Sequence, residues 1–326
     1  AANEGNAVAI AAGRYLSTGR PGVVYMQNSG IGNAVNPLLS MADEEVYSIP
    51  MLLIIGWRGE PGIKDEPQHV KQGKVTLSLL EAMGIPYVIL DENYREQIDR
   101  CHDLMIKNQA PVAMMVRQGT FDRYDADNGK EDMFTITREE ALKAIINTLS
   151  DDEFVVSTTG KTSRELFELR EMNGHGHSND FLTVGSMGHT ASIALGLSLG
   201  TEKNIYCIDG DGSFLMHTGG FAVISQNARK NLKYIMINNG AHESVGGQPT
   251  VALDIDVGGI LRTAGFRKVY TASTEKEIME HMASLREEGL SALIIYTKQG
   301  ARNDLGRPTT TPHDNRSALM KKIRQK

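Results

Sequence analysis

The sequence predicts an α/β protein built from two tandem doubly wound parallel-sheet domains. Three observations carry that expectation: short apolar runs alternate with helical stretches, one polar segment interrupts the alternation, and 326 residues suffice for two separate cores. Residues 4–16 repeat apolar side chains at helical spacing. Segments 22–26, 51–55, 87–90 and 112–116 then read as buried strands, separated by helices that include 76–83 and 97–107. Residues 122–132, rich in Asp, Asn and Gly, read as a linker. A second alternating unit follows. Its first helix starts at a capping box of Thr137 and Glu140 and ends near Leu149, and its strands fall at 154–157, 181–184, 205–208, 234–237, 266–270 and 292–296. Thr274 and Glu277 form another capping box, and Gly289 reads as a helix stop. The expected divisions are residues 1–121, the linker, and 133–326. Because the chain enters a helical pattern at once, a strand is expected upstream of Ala1. The polar segment from Gly300 onward, with Pro308 and Pro312, is expected to be either disordered or a lid.

Composition narrows the function classes. Hydrophobic residues make up 40% and charged residues 23%, as in ordinary globular proteins. A formal net charge of -6 leaves no nucleic-acid footprint, and no apolar run approaches the roughly twenty residues that cross a bilayer. Cys101 and Cys207, the only cysteines, lie in apolar patterns, so a disulfide scaffold is not expected and a cytoplasmic location is.

The most informative motif lies in the second half. A strand at 205–208 delivers Gly210-Asp211-Gly212-Ser213, a helix-length stretch at 214–228 follows, and a strand at 232–237 ends in Asn238-Asn239. One crossover therefore sets Asp211 beside Asn239. Glycines at 210 and 212 let backbone N–H groups approach a phosphate, and Ser213 adds a hydroxyl. Magnesium takes oxygen ligands in octahedral array and shares its shell with phosphates, so Asp211, Asn239 and the carbonyl of Ala241 are the candidate metal ligands. Gly-Asp-Gly alone is commonly a turn, and Asn-Asn-Gly alone commonly ends a strand. Their pairing at this spacing is what favours a metal-bound diphosphate. A dinucleotide fingerprint fails, because neither 210–215 nor 30–35 supplies the third glycine.

The opening residues 1–7, the small residues at 9–13 and the Gly210 to Asn239 pair together resemble the thiamine diphosphate-dependent 2-oxo acid decarboxylases, and the likeness covers nearly the whole chain. Segments 27–33, 159–164 and 242–248 look like the branch containing phosphonopyruvate and sulfopyruvate decarboxylases. That branch's sulfopyruvate members usually carry their two domains on separate chains, so the fusion seen here, with no middle domain, favours the phosphonopyruvate member.

What the resemblance implies is specific. The fold would be the thiamine diphosphate-binding fold, a pyrimidine domain followed by a diphosphate domain, and the cofactors thiamine diphosphate and Mg²⁺. Glu4 would hydrogen-bond the aminopyrimidine ring and so promote loss of the thiazolium proton, whereas an isolated glutamate in a first helical turn is more often a surface residue favoured by the helix dipole. Met187, within Gly185-Ser186-Met187-Gly188-His189, would prop the cofactor into its bent form, with Gly188 beside it; alone it reads as a core methionine. His189 or His242 would handle proton transfer. A phosphonate calls for a cationic clamp, for which Arg58, Lys64 and His69 in the loop 56–73, Lys161, Arg164, Arg302 and Arg307 are candidates. The partner is a small 2-oxo acid, with no nucleic acid and no membrane, and the assembly a homodimer or higher with active sites shared between subunits. Competing readings are an acetolactate-type carboligase and a non-catalytic diphosphate-binding module; the latter would have no need of Glu4.

Overall fold

In the first unit of the computed structural model, Ala1–Asn128, four parallel strands lie in the order β1-β2-β4-β3. They are β1 (Gly22–Gln27), β2 (Met51–Gly56), β3 (Tyr87–Ile89) and β4 (Val112–Val116), interleaved with α1 (Glu4–Thr18), α2 (Ile31–Pro37), α3 (Pro67–Ala82) and α4 (Tyr94–Asn108). The structure describes residues 1–122, 133–287 and 289–325; the expected linker at 122–132 lies, from residue 123 on, outside them. Alternation along β2 explains the layers. Met51, Leu53 and Ile55 pack with Val8 and Ala12 of α1 and Leu80 of α3, while Leu52 and Ile54 join Cys101 and Met105 of α4 on the other face.

Two expectations are corrected here. The helix read at 76–83 begins at Pro67, whose fixed φ suits a first helical position, so the loop read as 56–73 stops before it and His69 sits in α3. Gly73, the last residue of the range read as a loop, is a point of close approach within α3: a Cβ there would overlap the carbonyl of Gly59, and its own carbonyl accepts from Trp57 Nε1 at 2.9 Å. Asn28, just after β1, stitches the same corner. Its amide donates to the Arg58 carbonyl (2.8 Å) and Thr76 Oγ1 (2.9 Å) and accepts from Arg58 N (3.1 Å).

The second unit, Gly129–Lys326, holds a six-stranded parallel sheet ordered β11-β12-β8-β7-β5-β6. In chain order the elements are α5 (Arg138–Ile146), β5 (Phe154–Ser157), α6 (Lys161–Met172), β6 (Asp180–Leu182), α7 (Thr190–Leu199), β7 (Ile205–Gly210), α8 (Asp211–Met216), α9 (Gly220–Asn227) and β8 (Leu232–Asn238). A two-residue pair, β9 (Ala241–His242) and β10 (Gln248–Pro249), precedes α10 (Val257–Ala264), β11 (Lys268–Ala272), α11 (Glu275–Leu285), β12 (Ser291–Tyr296) and α12 (Pro312–Ile323). Buried apolar clusters cover both faces of the sheet, as the continuous apolar strands require. Both expected capping boxes form, at Thr137/Glu140 and Thr274/Glu277.

The single helix read at 214–228 is instead two, broken across 217–219 ahead of Gly220. The segment after Gly300 makes defined contacts and carries a helix, against the expectation of disorder. Gly306 N donates to Glu168 (2.6 Å), Arg302 pairs with Glu139, and α12 starts at a third capping box, Thr311/Asp314. Asn315 then clamps α12 to β6, donating to the Asp180 carbonyl (2.7 Å) and accepting from Leu182 N (3.0 Å). Among the described residues no helix is long and apolar enough to cross a membrane.

Candidate active site

In the second unit, β6 lies on one side of β5 and β7 on the other, so the chain reverses direction across the sheet at β5/β7. Ligands of doubly wound sheets bind outside the carboxyl ends of the strands at such a switch point. A cleft with about 530 Å³ of free space, counting the part open to solvent, lies there. Thr158 and Thr159 reach it from the end of β5, Gly210 from β7, Asp211, Gly212 and Ser213 from α8, and Asn239 and Ala241 from the turn after β8. Gly240 makes that turn with φ +68°, in the left-handed region. Met187 and His242 also line the cleft.

Asp211 is 3% exposed, and burial pushes its carboxyl up to about 6; Thr250 Oγ1 donates to it at 2.5 Å. Asn239 is buried too, its amide oxygen accepting from Ala241 N at 3.1 Å and keeping a second lone pair. A carboxylate, an amide oxygen and a carbonyl form an all-oxygen donor set, the chemistry of a hard divalent ion. The glycines leave room for a ligand's oxygens. A Cβ at Gly212 would overlap the His242 ring and come 3.2 Å from the Met187 methyl. Ser213 Oγ accepts from Gly188 N (3.1 Å), which ties the Met187 loop to the Gly210 loop.

Sequence reasoning missed several residues in or behind the cleft wall. Asp209, 1% exposed, accepts from Gly210 N (3.0 Å) and Tyr234 Oη (3.3 Å) beneath the loop, and burial raises its pKa. Arg138 opens α5 and borders the cleft; its guanidinium grips Glu165 through two bonds of 2.7 Å and also bonds Glu243. Burial raises the Glu165 pKa against that pairing. Glu243 additionally accepts from Gly300 N, so the loop after Ala241 is anchored from two sides. One signal was available: a cation in the first turn of a helix opposes the dipole, so Arg138 called for a carboxylate from elsewhere.

Of the two expected histidines, His242 lines the cleft, and burial holds its imidazole below the usual range. His189 is exposed, lies against His217 with ring centroids 4.6 Å apart and the rings tilted by 51°, and does not line it. Lys161 occupies the first position of α6, next to Thr162 of the cleft wall. Arg302 is bound away among Glu139, Glu168 and Asp304. In the first unit, Glu4 lies in the first turn of α1 with Asn33 Nδ2 donating to Oε2 at 2.8 Å. Arg58 forms a bidentate pair with Asp65, and His69 is buried on α3, its imidazole held down by burial and the Arg58 charge.

Comparison with known proteins matches this layout. Residues 1–80 match the N-terminal TPP binding domain of thiamine pyrophosphate enzymes, and residues 158–296 match the C-terminal TPP binding domain. The chain belongs to the thiamine pyrophosphate enzyme family. It is 34% identical to a phosphonopyruvate decarboxylase of Streptomyces hygroscopicus, across 95% of this chain and 80% of that protein. A sulfopyruvate decarboxylase of Methanosarcina acetivorans is 29% identical, across 92% of this chain and 81% of that one. The beta subunit of sulfopyruvate decarboxylase from Methanothermobacter thermautotrophicus is 36% identical over 41% of this chain. The chain is accordingly one of the family's decarboxylases, with thiamine diphosphate as cofactor. Separate beta and alpha subunits of sulfopyruvate decarboxylase each match part of this chain, as expected, but the Methanosarcina relative matches nearly all of it within one polypeptide, so domain fusion alone does not separate the two substrates.

Proposed function

We propose that this thiamine pyrophosphate enzyme catalyses the non-oxidative decarboxylation of phosphonopyruvate to phosphonoacetaldehyde and CO₂, a step of phosphonate biosynthesis, with Mg²⁺ as second cofactor. The observation that carries the proposal is the gathering of Asp211, Asn239, Ala241, Gly210, Gly212, Ser213 and Met187 around one cleft at a switch point. Bound thiamine diphosphate would supply the electron sink for the pair left when CO₂ departs, which no side chain offers. Asp211, Asn239 and the Ala241 carbonyl are assigned to Mg²⁺, and the backbone of Gly210, Gly212 and Ser213 to the diphosphate. Met187, with Gly188 behind it, forms the apolar wall that shapes the cofactor and keeps water out. Residues 1–121 would be the pyrimidine-binding domain, where Glu4 presents its carboxyl to the ring, and residues 133–326 the diphosphate domain.

The position of its ring in the cleft supports His242 over His189 for proton exchange with substrate. For the phosphonate, Arg58 and Arg302 are already engaged by carboxylates, whereas Lys161 has no ion pair among the described residues. That supports Lys161 as the cation. A second reading is decarboxylation of sulfopyruvate, favoured by the single-chain relative of that name. CO₂ release from phosphonopyruvate, sulfopyruvate and pyruvate, each with and without thiamine diphosphate and Mg²⁺, separates the two. Phosphonopyruvate is expected to give the highest kcat/KM, and only with both cofactors present; release equal without them, or faster with sulfopyruvate, overturns the proposal. Lys161→Ala should lower kcat/KM for phosphonopyruvate more than for pyruvate, and equal losses would remove Lys161 from the clamp.

A further inference from the structure

We infer that Asn33 is the positioning residue of Glu4, holding one oxygen of its carboxylate so that the other faces the cofactor ring; this rests on the role proposed for Glu4. A glutamate in a first helical turn is ordinarily free to swing through several rotamers toward solvent. Three features of the structure remove that freedom. Asn33 Nδ2 donates to Glu4 Oε2 at 2.8 Å, while among the described residues no hydrogen bond to Oε1 is found. Gly30 has no room for a side chain, because a Cβ there would overlap the Glu4 carboxyl, so the backbone itself backs the group. Gly5 does the same for the helices: a Cβ on it would stand 2.7 Å from the Asn33 carbonyl oxygen, and the missing atom lets α1 and α2 approach closely enough for the bond. Burial of Ile31 and Ala34 sets the rotation of α2, which fixes where Asn33 stands.

The residue type fits the task. A neutral amide donates one hydrogen bond to a carboxylate without cancelling its charge, whereas a lysine or arginine would compete with the ring for it. The Gln27 to Asn33 motif therefore divides into Asn28, which stitches the loop after β2, and Gly30 with Asn33, which form a seat for Glu4.

The test is the rate at which solvent deuterium replaces the thiazolium C2 proton of thiamine diphosphate bound with Mg²⁺, read by NMR. Cofactor Kd and the unfolding midpoint are measured alongside. Asn33→Ala is expected to slow exchange about ten- to hundredfold, the worth of one hydrogen bond to a charged group, with Kd within about threefold of wild type. Glu4→Gln is expected to slow it at least as much, and the double variant no further than Glu4→Gln alone, since Asn33 acts through Glu4. Asn33→Asp, similar in shape but repelling the carboxylate, should be no faster than Asn33→Ala and serves if the alanine variant does not fold. Wild-type exchange in Asn33→Ala, additive losses in the double variant, or failure of both Asn33 variants to fold would each overturn the inference. Wild-type exchange in Glu4→Gln would instead remove the role proposed for Glu4.

Discussion

Asp211 carries the tension of the cleft: it is buried, its pKa is pushed up to about 6, and the Thr250 hydroxyl donates a hydrogen bond to it. Its neighbour Gly212 is the most exacting position around it. Gly212→Ala would drive a methyl into the space of His242 and Met187, and overpacking of that kind costs about 1–3 kcal/mol. Titration of the variant with thiamine diphosphate and Mg²⁺ should show affinity lower by about tenfold or more; unchanged affinity would separate Gly212 from the cofactor. Asp65 gives a pH dependence. The Arg58 guanidinium holds its carboxyl below the usual range, so it contributes stability that is present above the unfolded pKa of about 4 and lost as the pH falls through the lower folded value. Thermal unfolding of wild type and Asp65→Asn should therefore differ most above about pH 4 and converge in more acidic buffer. A gap that stays constant with pH would contradict the pairing. At this scale Asp211, Asn239 and Ala241 were legible because two strand ends and one crossover constrain them together. Arg138, Glu165 and Glu243 were not, because they come from three segments that only the packed sheet brings to one place.

The strands were legible as elements wherever both faces are buried, since an apolar run of five or six residues has few other fates. Helix limits were less so. Pro67 extends α3 beyond its apolar repeat, and the break between α8 and α9 lies inside a stretch whose periodicity alone suggested one helix. The segment after Gly300 shows the clearest difference. Its polarity suggested mobility, yet its polar groups are anchors, of which Asn315 is the most buried. Asn315→Ala leaves a buried carbonyl and a buried N–H without their partner, a cost of about 2–4 kcal/mol. It should also expose the chain beyond Gly300 to limited proteolysis; wild-type resistance and stability would show that α12 is held by apolar contacts alone. Thr274→Ala, by contrast, removes one helix cap and should cost about 1 kcal/mol in chemical denaturation without affecting cofactor affinity.

For the whole molecule, the homodimer with shared sites that the family resemblance implies can be tested by a complementation experiment. Glu4→Gln and Asp211→Asn are each expected to be inactive. If a site takes Glu4 from one subunit and Asp211 from another, unfolding the two variants together and refolding them restores about a quarter of wild-type activity, because half of the dimers are mixed and each mixed dimer has one intact site. No recovery, with mixed dimers verified by mass, would assign both residues to one chain. The sequence by itself determined the two α/β units, the meeting of Asp211 with Asn239 at one cleft and the family, because these rest on local periodicity and on residues linked through one crossover. Only the tertiary structure decided which histidine borders the cleft, which cations are already paired, and that Asn33 meets Glu4 and Arg138 meets Glu243. Side chains distant in sequence become neighbours through the packing of helices on sheets, and that proximity leaves no local trace in the chain.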